Sequence, residues 1–267
     1  LKVGNTLFIC TPHSVAIALD ADTGYERWRF DPSINRDAEY YQHMTCRGLA
    51  YHDGAAAAAT ANAAEQPNQP AARCEKRLFL PTNDGTLMAL DVDDGQPCED
   101  FGDAGTVDLK AGLGDGALGV YLPTSPPVVT SKLVIQGGSI TDNGSVDSPG
   151  GVIRAYDVKT GELVWNFDPG KPDATEPLAP GETYVRSTPN VWTIPTADEA
   201  LGLVYLPMGN QTPDQWSIPR NELAERFTAT LVALDLATGK VRWEFQTVHH
   251  DLWDRDLPSQ PTLVDID

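Results

Sequence analysis

The sequence predicts an all-β fold of repeated units, and three observations predict it. First, one short pattern recurs four times: ALDADTGYERWRF at 18–30, ALDVDDGQPCEDF at 89–101, AYDVKTGELVWNF at 155–167 and ALDLATGKVRWEF at 233–245. Its glycines stand at 24, 95, 161 and 239, so the units are 71, 66 and 78 residues apart. Second, each copy follows a short apolar run typical of a strand, at 6–10, 77–81, 132–136 and 203–207. Earlier segments at 126–129 and 187–192 read as additional strands. Third, helical periodicity is scarce, with one or two turns expected between Asn221 and Phe227. Three or four short strands per unit, stacked radially, make a β-propeller, here of four W-motif blades. The spacing exceeds the roughly 40–45 residues of a minimal blade, so the surplus belongs to loops.

Each copy explains itself locally. A strand ends in an aliphatic residue and Asp. The Asp and Thr side chains bond nearby backbone, and Gly supplies a positive φ, which together close a hairpin. The returning strand alternates and ends in an aromatic, any residue, then Phe, so its Trp can pack between neighbouring sheets. Unit two departs, with Cys98 where the others carry Trp28, Trp165 and Trp243.

Length and composition set the limits. The 267 residues, 41% hydrophobic, suffice for a substantial core. No run approaches the roughly 20 apolar residues of a membrane span. The chain opens on Leu1 without a Met and enters a strand at once, so both ends read as ends of a fragment. A net charge of −19 argues against nucleic acid, whose phosphates need a basic surface. It is compatible with plain solubility or with a cation site. Cys10, Cys46, Cys74 and Cys98 make no CxxC pattern, so zinc is not expected. A Cys74–Cys98 disulfide would staple unit two and fit an oxidising compartment, and two separate thiols fit equally. Cys10 lies in an apolar run and reads as a buried free thiol.

The loops differ in character. Residues 54–72 are rich in Ala, Asn, Gln and Pro and read as a flexible insertion. The polar loops 139–151 and 209–220 leave strand ends and are the places to look for chemistry. The most loaded stretch is His249-His250-Asp251-Leu252-Trp253-Asp254-Arg255-Asp256. Adjacent histidines on an extended strand point to opposite faces, so His249 and His250 are not expected to share a metal. Taken alone, Asp142 and Asn143 are either an Asx turn or oxygen ligands for a hard cation. Trp192 is either a core tryptophan or an aromatic platform. Arg47 is either half of a surface ion pair or an anion-binding fork.

The repeat ALDxxTGxxxWxF resembles the docking repeat of pyrroloquinoline quinone (PQQ) dehydrogenases. HMTCRGLAYH at 43–52, GSITDN at 138–143, STPNVW at 187–192, LPMGNQTPD at 206–214 and TVHHDLWD at 247–254 look like segments of the membrane-bound quinoprotein glucose dehydrogenase family, in the same order. Quinate/shikimate and polyol dehydrogenases share much of this pattern. The resemblance implies an eight-bladed propeller of which this chain covers about half, a periplasmic location and an inner-membrane anchor outside this sequence. It implies oxidation of a sugar or polyol hydroxyl, D-glucose to its lactone first among them, with PQQ and Ca²⁺ or Mg²⁺ as cofactors and ubiquinone as electron acceptor. It places Trp192 under the quinone, His43 and Arg47 beside it, Asp142, Asn143 and Thr212 at the cation, with Asn210 able to substitute for Thr212, and Asp254 as the base, with Asp251 and Asp256 as nearby alternatives. Two departures stand out. Alcohol-oxidising relatives carry Glu where Asp142 stands, and Asn where Thr212 stands. They also set a pair of adjacent cysteines against the cofactor, where this sequence has Cys46 alone. Quinate or shikimate remains an alternative substrate, and a non-catalytic propeller scaffold is the alternative from another class.

Overall fold

The computed structural model describes residues 1–40, 43–55, 72–216 and 220–266. Most of the insertion expected at 54–72, from 56 to 71, lies outside them. Among the described residues the chain forms four four-stranded antiparallel sheets, each in simple chain order. The first holds β1 (Lys2–Val3), β2 (Thr6–Cys10), β3 (Ala16–Asp20) and β4 (Glu26–Phe30). The second holds β5 (Ala50–Asp53), β6 (Lys76–Thr82), β7 (Thr86–Asp91) and β8 (Thr106–Asp108). A small ribbon pairs β9 (Tyr121–Leu122) with β12 (Ser139–Ile140). The third sheet holds β10 (Val128–Val129), β11 (Leu133–Gln136), β13 (Ile153–Asp157) and β14 (Leu163–Phe167). The fourth holds β15 (Thr196–Asp198), β16 (Leu203–Pro207), β17 (Thr230–Asp235) and β18 (Val241–Gln246). These are the four propeller blades. A short helix, Glu222–Glu225, is N-capped by Asn221 through bonds from the Leu223 and Ala224 amides. No helix among the described residues is long and apolar enough to cross a membrane.

The core consists of the three interfaces between consecutive sheets. Phe8, Ala16 and Ala18 pack on Leu78, Leu80 and Leu90. Phe79, Leu87 and Ala89 face Val134 and Tyr156. Ile135, Ile153 and Ala155 face Val204, Leu206, Val232 and Leu234. Successive residues of a middle strand therefore serve opposite neighbours, as the period of two requires: Leu78 and Leu80 face one sheet, Phe79 the other. This explains why these strands read as continuous apolar runs rather than alternating ones.

The repeated turn is built as its sequence predicts. Asp20 Oδ1 accepts the Asp22 and Thr23 amides and the Thr23 hydroxyl, and Gly24 N donates to Asp20 O. Asp235 repeats the arrangement with Ala237 and Thr238. The tryptophan then docks on the glycine of the following blade. The Trp28 indole donates to Val92 O at 3.0 Å, and Trp165 to Leu236 O at 2.8 Å. A Cβ at Gly95 would lie 2.5 Å from Trp28, and one at Gly239 2.7 Å from Trp165. Unit two lacks the indole and substitutes backbone. Gly102 N donates to Thr160 O, and a Cβ at Gly161 would meet Gly102 N at 2.7 Å. Phe101 is fully buried beside it.

Three expectations need correction. Residues 187–192 form no strand. The first strand of unit four is β15, because 187–191 spend their polar groups on neighbouring loops: Ser187 N on Ser148 O, and Asn190 O on Gly209 N. Cys10 is not a free thiol. It is bonded to Cys46, as Cys74 is to Cys98, with Cα–Cα separations of 5.9 and 5.7 Å. The apolar run hid this because β2 places Cys10 beside a loop 36 residues away in sequence. Finally, His249 and His250 are not on a strand. β18 ends at Gln246, and His250 adopts φ 55° in a turn.

Connectivity decides where function can sit. With all four strands antiparallel, the link from second to third strand leaves by the same end as the link from fourth strand to the next blade. The repeated Asp–Gly turns occupy the other end. Loops 31–49, 109–127, 137–152, 168–195, 208–229 and 247–266 therefore gather on one face.

Docking predicts unequal roles for the tryptophans. Trp165 is 2% exposed and Trp243 is 42% exposed in this chain. Trp165→Ala should cost about 3–5 kcal/mol of stability, and Trp243→Ala much less, as read by urea unfolding. Equal costs would contradict the docking account.

Candidate active site

Every sequence-predicted site residue falls in one of the gathered loops, and the structure joins most of them. Loops 139–145 and 209–216 are stitched together: Thr212 Oγ1 donates to Thr141 O at 3.4 Å, and Gln215 N donates to Asn143 Oδ1 at 3.0 Å. Asn143 adopts φ 51°, and its Oδ1 is spent on the inter-loop tie. Asp142 stands at the solvent-exposed lip, against Asp214. The exposed Asp254 reaches the same cluster from the last loop, where its φ of 59° turns the chain sharply. A non-glycine residue in the left-handed region stores strain and is common at functional positions.

Trp192 is held from two directions. Its indole N–H donates to Asp256 Oδ2 at 2.5 Å, and its carbonyl accepts from the Ser125 hydroxyl at 2.6 Å. The Arg47 guanidinium lies 5.3 Å from the ring centroid, bonds the Thr124 hydroxyl, and has no carboxylate partner among the described residues. Burial holds the Arg47 pKa below its usual value. An unpaired guanidinium beside an indole face suits a flat anionic ligand. His43 is exposed, and no described contact ties its ring to this group.

The last loop is shaped by Asp251, which is fully buried. Burial would push its carboxyl up, but bonds from Trp253 N, Asn210 Nδ2 and Arg255 N hold it below the usual carboxylate range. Its oxygens are committed to the loop, whereas the Asp254 side chain is exposed. Asp256 is likewise committed, to Trp192 and to Asn210 N at 2.6 Å. His250 goes elsewhere: its Nδ1 lies 3.2 Å from Glu225.

Asp142, Asp214, Asp254 and Asp256 thus form one acidic field. Burial, then the charges of Asp142, Asp254 and Asp256, push Asp214 well above the usual carboxylate range. Burial and the charge of Asp254 also raise Asp142. Asp256 is pushed up to about 6, by burial foremost, against the opposing Trp192 bond and with the charge of Asp254. Asp142 and Asp214 touch, while the other two act at longer range. Among the described residues the tightest grouping of potential ligands is Cys74, Cys98 and Asp100, and its sulfurs are spent in a disulfide. Carboxylates among amide and hydroxyl oxygens are a donor set that could hold a hard divalent cation.

Sequence reasoning missed the part played by Asp214 and saw Asp256 only as an alternative base. A signal for Asp214 was present. The loops after the second strands of units three and four occupy equivalent places, and each carries an acid, Asp142 and Asp214.

The acidic field has a pH signature. A carboxyl whose pKa is raised by folding holds its proton more tightly folded than unfolded, so stability is greatest at low pH and is lost as pH rises through the folded value. For Asp256 the loss runs from about 4 up to about 6, and Asp214 extends it upward. In cation-free buffer the melting temperature should fall between pH 5 and pH 8. Asp214→Asn should melt higher than the parent, by a margin that widens with pH. A margin independent of pH would contradict this account.

Comparison with known proteins gives the family. A family model described as PQQ: Glucose/ethanol/alcohol dehydrogenase, beta-propeller domain, matches residues 1–267. The chain is 45% identical over 266 residues to quinoprotein glucose dehydrogenase of Escherichia coli, covering 100% of this chain and 32% of that protein. It is 42% identical over 273 residues to a quinate/shikimate dehydrogenase (quinone) of Acinetobacter baylyi, covering 99% of this chain and 33% of that protein. Quinohemoprotein alcohol dehydrogenase from Comamonas testosteroni superposes with a TM-score of 0.72 at 23% identity, over 98% of this chain and 36% of that one, and shares the fold. The chain spans about a third of the length of the curated relatives it matches. It belongs to the PQQ-dependent glucose/ethanol/alcohol dehydrogenase family, within that family's β-propeller domain.

Proposed function

We propose that this chain supplies part of the active site of a PQQ-dependent dehydrogenase acting on a sugar or polyol hydroxyl, with D-glucose oxidised to its lactone as the leading reaction. The observation that carries the reading is the convergence of Trp192, the unpaired Arg47 and the acidic field on one face of the blades. When bound, PQQ would accept the two electrons and the carbon-bound hydrogen of the alcohol.

The chain's own residues divide the remaining work. Trp192, fixed by Asp256, offers a flat apolar surface for one ring face, and Arg47 offers forked donors to a carboxylate. His43 belongs beside them on the resemblance alone. Asp142, Asn143 and Thr212 would hold Ca²⁺ or Mg²⁺, whose charge compensates the acidic field and polarises a bound oxygen. Asp254 accepts the hydroxyl proton, since it adjoins the acidic field and no hydrogen bond from a described residue commits its carboxyl. Electrons then pass to ubiquinone, in a periplasmic, membrane-anchored protein. The two disulfides fit that oxidising compartment.

Glucose is placed ahead of quinate because relatives named for glucose reach 45% identity, against 42–44% for those named for quinate.

The test is Asp254→Asn in protein reconstituted with PQQ and Ca²⁺. PQQ binding should persist while turnover of glucose falls by roughly 10²–10⁴-fold. Retained turnover would move the base elsewhere. A panel of aldoses, polyols and quinate with an artificial acceptor decides the substrate, and a preference for quinate would overturn the glucose reading.

A further inference from the structure

We propose that Asp214 is a direct ligand of the divalent cation, gripping it together with Asp142 across the stitched loops 139–145 and 209–216. The assignment rests on the cation site proposed above and changes its donor set. Asp214 is 3% exposed, and its Oδ1 receives no hydrogen from any described residue. The polar group its side chain meets is the Asp142 carboxyl. A carboxylate in contact with another carboxyl needs a proton or a cation beside it, and among the described residues no basic side chain pairs with the Asp214 carboxyl. The nearest arginine in the loop, Arg220, gives Nη1 to Glu225 at 3.1 Å and Nη2 to the backbone carbonyl of Asp214 at 2.8 Å. It therefore holds the loop in place without neutralising the carboxylate.

The same loop carries two more oxygens without donors, Asn210 Oδ1 and Gln211 Oε1, on side chains 1% and 7% exposed. The orientation of Asn210 follows from its partner. Its Nδ2 donates to Asp251 Oδ2 at 2.8 Å, and a flipped amide would set oxygen against carboxylate. Its carbonyl oxygen thus faces away from the one strong partner in reach. Buried oxygens that lack N–H or O–H partners are satisfied by water or by a cation, and Ca²⁺ takes about six to eight such oxygens. Thr212 fits less well as a principal ligand, since its hydroxyl hydrogen is directed at Thr141 O. Two carboxylates, Asp142 and Asp214, match the charge of one divalent ion.

The test is calorimetric titration of CaCl₂ into the cofactor-free protein and its variants. Asp214→Asn should weaken calcium binding roughly tenfold or more, as should Asp142→Asn. Thr212→Ala should stay within about threefold. In calcium-free buffer Asp214→Asn should melt no lower than the parent, since it replaces one of two acids in contact with a neutral side chain of the same shape. If Asp214→Asn binds calcium like the parent while Asp142→Asn does not, Asp214 is no ligand and the cation site itself survives. Loss of calcium together with a lowered melting point in calcium-free buffer would make Asp214 a structural residue and overturn the assignment. Absence of calcium binding in the parent would sink both readings.

Discussion

The structure depends on an indole laid against a glycine of the next sheet. Trp28 on Gly95 and Trp165 on Gly239 leave no room for a side chain, and each indole N–H is bonded to a carbonyl of the adjoining blade. The contact joins two requirements that a propeller must satisfy together. It buries a large apolar surface between sheets, and it fixes the angle at which one sheet follows another. The second interface shows what is essential in it. Without a tryptophan, Gly102 N still bonds Thr160 O and backbone still closes on Gly161. Close approach and a donor are what the interface needs, and the indole is one way to provide them.

Stacking of that kind leaves the loops at the far ends of the strands free of structural duty. Trp192, Asp142, Thr212, Asp214, Asp254 and Asp256 all come from such loops, contributed by two blades and by the segments that follow them. Their neighbours do the holding. Asp251 ties the last loop with bonds from Asn210, Trp253 and Arg255, and Asp256 ties Trp192 to Asn210. In this way carboxylates of one short stretch take different roles. Asp251 is buried and saturated, Asp256 positions an aromatic ring, and Asp254 is left accessible. The environment decides which acid can do chemistry, although all are the same residue type.

Much of this was legible in advance. The four copies of the ALDxxTG pattern announce hairpins because Asp, Thr and Gly each have a local mechanism in a turn. The helix at Glu222–Glu225 was readable for the same reason, through Asn221 as its cap. What could not be read were contacts that join distant segments. Cys10 looked like an ordinary core residue, because nothing in an apolar run reveals that a loop 36 residues later arrives beside it. Residues 187–192 looked like a strand, because their β-branched and aromatic content is strand-like, and only the packed loops show their backbone bonded to 148 and 209. The histidine pair was assigned to an extended strand that in fact ends at Gln246.

The sequence by itself determined the all-β repeat, the turn chemistry and the polar loops, since each depends on spacing and residue type within a few positions. Tertiary structure alone decided which acids meet. Asp142 and Asp214 are 72 residues apart, and their contact exists because equivalent loops of adjacent blades emerge side by side. Whether a carboxyl is lifted, as Asp214 and Asp256 are, or depressed, as Asp251 is, depends on burial and on donors supplied by other strands. Those are properties of a point in space, and a one-dimensional string carries them only through the fold.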